Sequence, residues 1–133
     1  MGMDTGQLQS QVNILIQECR YDEIKPLLLV HKNTTEHNND LSMVCYLCAV
    51  HEREKEAGHA SIFSKVSDID ELIDRYTRLK FFLRRIDFEL LDDGLEDFYT
   101  FIAQWKISSY ELLAAIDFGV VHKEKVLKAI KGE

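Results

Sequence analysis

One stretch, Asp68 to Leu91 (DIDELIDRYTRLKFFLRRIDFELL), constrains the fold more than any other. It contains no Gly or Pro, and its apolar residues Ile69, Leu72, Tyr76, Leu79, Leu83, Ile86 and Leu90 recur at spacings of three and four. At roughly 100° per residue they fall on one broad face, as a core-facing α-helix requires. Phe81 and Phe88 are seven apart and stand on nearly the opposite side. A helix apolar on two sides is either covered on both or turns its second side to a partner. Ser67 or Asp68 is placed to cap the N-terminus, with Asp70 and Glu71 in the first turn where the helix dipole favours acids. Asp92-Asp93-Gly94 supplies the stop. The stretch reads as a long central helix around which the others pack.

Charge separates along the same stretch. Arg75, Arg78, Lys80, Arg84 and Arg85 are bases with no acid between them, and Asp87, Glu89, Asp92, Asp93, Glu96 and Asp97 follow with no base. Glu71 precedes Arg75 by four and Asp74 precedes Arg78 by four, the favourable direction for pairing on a helix. Arg85 has no acid four residues before it. Arg78, Phe81, Arg85 and Phe88 therefore form the candidate partner surface.

The remaining chain reads as further helices. Gln7 to Cys19 carries the stripe Leu8, Val12, Leu15, Ile16 and Cys19, with Thr5 as cap. A tight Arg20-Tyr21-Asp22 connection leads to a second helix from Glu23 to about Lys32, with Pro26 near enough to the start to be tolerated. Asn33 to Asn39 reads as a polar loop. Asp40 is expected to cap a third helix that runs to Ala57 and stops at Gly58. The polar second half of that helix, HEREKEAG, is expected to face solvent. Ile62, Phe63 and Val66 tether the connector that follows. Gly94 to Trp105 makes a fifth helix, and Ser108 or Ser109 caps a sixth with Glu111 placed to complete a capping box from Ser108. A last helix spans His122 to Lys131. The expected architecture is all-α, about seven helices in antiparallel hairpins around the central one, as a single helical domain over residues 1–133.

Two resemblances bear on this layout. The first two helices and their turn, Cys19-Arg20-Tyr21-Asp22-Glu23-Ile24, are similar to the turn region of a tetratricopeptide-like (TPR-like) helical hairpin, which implies stacked helix pairs; no period of about 34 residues appears. The segment SSYELLAAIDFGVVHKEKVLKAI resembles a DNA-binding helix-turn-helix, with Ala115 and Gly119 at the separation of the small residue and the turn glycine. Its second helix offers lysines but no Arg, Asn or Gln to read base edges.

Chemistry is sparse. Cys45-x-x-Cys48-x-x-His51 invites a zinc reading, yet both cysteines fall mid-helix on the apolar stripe and no second ligand pair exists. No cysteine nucleophile has a built base beside it, and no glycine-rich loop follows a strand. No cofactor, metal or catalytic residue is expected. The net charge of −7 disfavours nucleic acid and anionic membrane, although the basic strip is a local exception. No apolar run reaches the roughly 20 residues of a membrane span. Three cysteines without a secretory signal suit a reducing, cytoplasmic setting. The sequence thus points to a non-enzymatic protein-protein interaction or accessory module that binds a protein partner or homodimerises. The alternatives are a nucleic-acid binder using the C-terminal helix-turn-helix-like segment and an enzyme fragment without a recognisable motif.

Overall fold

A computed structural model describes residues 3–85 and 99–117, with side chains over 3–82 and 99–115. The fold is all-α: every regular element among the described residues is helical. The chain groups into two compact units, Met1–Arg75 and Tyr76–Glu133. No helix of the described residues is long and apolar enough to cross a membrane.

The first unit begins with α1 (Thr5–Gln17). Its cap is Asp4, one residue before the expected Thr5, because Asp4 is extended and its carboxylate accepts the Gln7 N–H at 2.8 Å while the Gln7 side chain accepts the Asp4 N–H. Leu8, Val12, Leu15 and Ile16 are buried as their spacing predicts. The helix ends earlier than expected, since Cys19 turns to φ 60° and closes a Schellman motif: its N–H reaches Ile16 O and the Arg20 N–H reaches Leu15 O.

A 3₁₀ turn (Tyr21–Glu23) leads into α2 (Ile24–Val30). Pro26 sits in the first turn, where its missing N–H leaves no bond unmade. The expected loop over Asn33 to Asn39 is corrected, because Lys32–Glu36 forms a short helix, α3. The reason is Thr35, whose buried hydroxyl lies within hydrogen-bond reach of the carbonyls of Leu28 (2.8 Å) and His31 (3.0 Å) at the end of α2. The His31 carbonyl already accepts the Thr35 N–H at 3.0 Å, so the single hydroxyl proton serves the shorter contact to Leu28 and ties α3 back to α2.

Helix α4 (Asn39–Glu56) is capped by Asn38 rather than Asp40; the Asn38 side-chain oxygen accepts the Leu41 N–H at 2.9 Å. It packs against α2, α3 and a second 3₁₀ turn (Ile62–Lys65), while α1 packs against α2. Leu41, Val44 and Leu47 are fully buried, each contributing about 1.5–3 kcal/mol relative to exposure. Gly58 stops the helix as expected, at φ +74°, with a Schellman pair from Gly58 and His59.

Helix α5 (Ile69–Arg85) spans the boundary between the units. Asp68 caps it, accepting the Glu71 N–H, and the Asn13 side chain of α1 accepts the Ile69 N–H at 2.8 Å. Ile69 and Leu72 are buried, as are Tyr76 and Leu79. Residues 86–91 of the expected central helix lie outside the described residues.

In the second unit the helical residues 99–105 (α6) and α7 (Ser109–Asp117) follow. The capping box expected from Ser108 forms: its hydroxyl accepts the Glu111 N–H at 3.1 Å and the Glu111 carboxylate accepts the Ser108 N–H. Lys106, at φ 51°, closes α6: its N–H reaches Ala103 O, and the Ile107 N–H reaches Ile102 O. The expected last helix, His122 to Lys131, lies outside the described residues, so the second half of the helix-turn-helix-like segment does too.

Candidate functional site

Two groups of residues could carry function, one in each unit. The first is built on the half of α4 expected to face solvent; Glu52, Arg53, Lys55 and Glu56 do so, and the expectation is corrected at His51 and Glu54. His51 is only 6% exposed and Glu54 is fully buried. Val44, Leu47, His51 and Glu54 follow one another along α4 at spacings of three and four. The core stripe therefore continues in polar residues, and those two side chains turn inward with it.

Each finds partners outside its own helix. His51 Nε2 lies 2.8 Å from Asp22 Oδ1 on the first 3₁₀ turn, and Nδ1 lies 2.7 Å from Ser61 Oγ at the cap of the second. A neutral ring with its proton on Nε2 satisfies the set, donating to the carboxylate and accepting from the hydroxyl. Tyr21 and Phe63 pack their rings against the imidazole, with centroids 5.8 and 5.6 Å away. Lys55 Nζ bonds the other Asp22 oxygen at 2.6 Å. Lys55 first, and His51 second, hold the Asp22 carboxyl below the usual carboxylate range. One turn along, Glu54 Oε1 accepts the Ile62 N–H at 2.8 Å, and Lys65 Nζ stands 3.9 Å from Oε2.

Serine, histidine and aspartate in hydrogen-bonded series have the order of an acyl-transfer triad. The chemistry of the surroundings argues against that use. A serine at a helix start normally relies on the following N–H groups to hold an oxyanion. Here the Ile62 N–H is taken by a carboxylate and the Phe63 N–H by Ser61 Oγ itself, at 3.1 Å. The group is a clasp that fastens both 3₁₀ turns to α4.

The zinc reading of Cys45, Cys48 and His51 loses its histidine to this clasp. Cys48 is buried in the core, and burial first, then neighbouring Cys45 and Glu52, pushes its thiol up to about 12. Among the described residues no group of three His, Cys, Asp or Glu side chains could hold a metal ion.

The second group contains the partner surface expected from the sequence. Phe81 is 55% exposed, on the side of α5 away from buried Tyr76 and Leu79. Arg78, three residues earlier and exposed, lies over the Trp105 ring, 6.0 Å from its centroid. Phe82 stacks on Phe101 at 4.0 Å, and Phe101 meets Trp105 at 5.2 Å. Tyr99 is 49% exposed. The structure therefore joins Arg78 and Trp105 and sets Phe81 on the same side of α5 as Arg78. Arg85 closes the described part of the helix, and its side chain, like the whole of Phe88, lies outside the described residues.

Sequence reasoning missed the clasp entirely, because Asp22, His51 and Ser61 are 29 and 10 positions apart. It also missed Trp105 as the seat of Arg78. A scan against models of known families, a search of curated proteins and a search of solved structures each find nothing that matches this chain.

Proposed function

We propose that the protein is a non-catalytic, protein-binding helical module whose recognition surface lies in the second unit and centres on Phe81. The observation that supports this is the 55% exposure of Phe81 on a helix whose other side is buried. Arg78, one turn earlier on the same helix, and the Trp105 ring beneath it belong to the residue types that dominate the energy of protein interfaces. The polar groups of the clasp in the first unit, by contrast, are engaged with one another. A cytoplasmic setting fits Cys19, Cys45 and Cys48, all free thiols.

Site-specific photocrosslinking tests the reading. Benzoylphenylalanine in place of Phe81 should capture a discrete protein, a second copy or another chain, in the producing cell. The same group at exposed Arg53 should not. Equal capture at both positions, or none at position 81, would overturn the proposal. Phe81→Ser should leave the circular dichroism spectrum unchanged; its unfolding would make Phe81 part of the core.

A further inference from the structure

A second histidine of the first unit is held in a different sense from His51. His31 stands half-buried between α2 and α3. Its Nδ1 accepts the Met3 N–H at 3.1 Å, and the Thr34 hydroxyl donates to the Met3 carbonyl at 2.7 Å. Both backbone groups of Met3 are thus taken by the corner between α2 and α3, across 28 and 31 positions of chain. The next residue, Asp4, is the extended cap of α1. Met3 and Asp4 form a strap that ties the start of α1 to that corner. A backbone N–H can only donate, so His31 accepts on Nδ1 and carries its proton on Nε2. His37 and His51 keep their bonds in either charge state. His37 Nδ1 lies 2.7 Å from the Asn33 carbonyl and must donate there, which a charged ring also does. His51 meets a carboxylate and a hydroxyl, and the hydroxyl can turn to accept. His31 faces a donor that cannot turn.

The geometry points to His31 as a pH-sensitive latch on this strap: the neutral ring holds Met3, and the imidazolium, with an N–H on both nitrogens, releases it. The bond is present while the ring is neutral and is lost as pH falls. Histidine is the side chain whose charge ordinarily changes between about pH 5 and 8. The other charged groups on the elements that meet here are already engaged. Asp4 on the strap gives its carboxylate to the Gln7 N–H. Lys25 of α2 pairs with Glu52 of α4, and Lys32 of α3 pairs with Glu36. Asp22 and Glu23 of the first 3₁₀ turn are held by Lys55 and Arg20. Asp40 sits in the first turn of α4, where the helix dipole favours its charge. Further along α4, Glu54 belongs to the clasp, and α1 carries no titratable side chain between Thr5 and Gln17. Met3 and Asp4 also line a hollow along α1 with Gln7 and Gln11, so release of the strap removes one of its walls.

Nitrogen-15 relaxation of the full chain, titrated from about pH 8 to about pH 5, provides the test. The order parameter of the Met3 N–H should stand near that of rigid backbone, about 0.85, at the upper end and fall below about 0.6 at the lower. The Met3 amide shift and the His31 ring shifts should follow one midpoint, while the amides of buried Leu8 and Val12 stay ordered throughout. His31→Ala should leave Met3 loose at both ends of the titration, with unchanged circular dichroism. A Met3 that is loose near pH 8 or stays ordered near pH 5 in the wild-type chain overturns the proposal. So does a Met3 midpoint that departs from that of the His31 ring, or a Met3 that stays ordered in His31→Ala. If His31→Ala fails to fold, the wild-type titration decides alone.

Discussion

Among the described residues the two units arrange their polar side chains differently. In the first, titratable side chains point at one another: His51 joins Asp22 and Ser61, and Glu54 takes the Ile62 N–H beside Lys65. In the second, the acid whose side chain is described, Glu111, closes a helix cap of its own, and the ring contacts Phe82–Phe101–Trp105 join α5 to α6. A hydrogen-bonded triad is therefore no guide to reactivity by itself, since its groups serve to hold two turns in place. Exposure of an apolar side chain is no guide by itself either, since Leu29 and Val30 of the first unit are as open to water as Phe81 of the second.

The contrast can be broken by mutation. Glu54→Ala should have the largest effect, a loss of about 3–5 kcal/mol in urea unfolding, because it removes the carboxylate beside Lys65 and strands the Ile62 N–H in the interior. His51→Ala should lose about 2–3 kcal/mol by releasing both 3₁₀ turns and leaving a cavity between Tyr21 and Phe63. If either variant unfolded at the wild-type midpoint, the clasp would be ornamental and its residues open to a catalytic reading. Both should leave crosslinking from position 81 intact.

Those two residues also mark where the sequence ceased to be legible. The α1 stripe, the Gly58 stop and the Ser108–Glu111 box were readable because each depends on neighbours within a turn or two. The inward set of His51 and Glu54 depends on Asp22, Ser61 and Ile62, which no local pattern brings near. The α3 turn was hidden for a related reason, since Thr35 answers a carbonyl of α2 that only the folded backbone presents. Phe81 was legible by its angle on the helix, whereas Trp105, over which Arg78 lies, comes from another helix.

Smaller effects sharpen the comparison. Gly58→Ala should cost about 1 kcal/mol; open space surrounds the added methyl, so the penalty is the positive φ alone. Cys19 and Lys106 already carry that backbone strain at the ends of α1 and α6. Asp22→Asn should lose less than about 1 kcal/mol at neutral pH, because Asp22 and Lys55 are both largely exposed. The sign follows from the lowered carboxyl: its contribution is present above the ordinary carboxylate value near ~3.9 and disappears as pH falls through the folded value below it. The variant should accordingly unfold less steeply on acidification, as followed by circular dichroism from neutral pH to about pH 2.

The bond from Ile69 to the side chain of Asn13 spans 56 positions of chain. During synthesis α1 leaves the ribosome long before its Asn13 acceptor can be used. Leu8, Val12 and Ile16 emerge with it and can pack on α2 once that helix has followed, whereas the Asn13 acceptor waits for the start of α5. Nascent chains that stop short of Ile69 should consequently be more open to proteases around α1 than chains that include it.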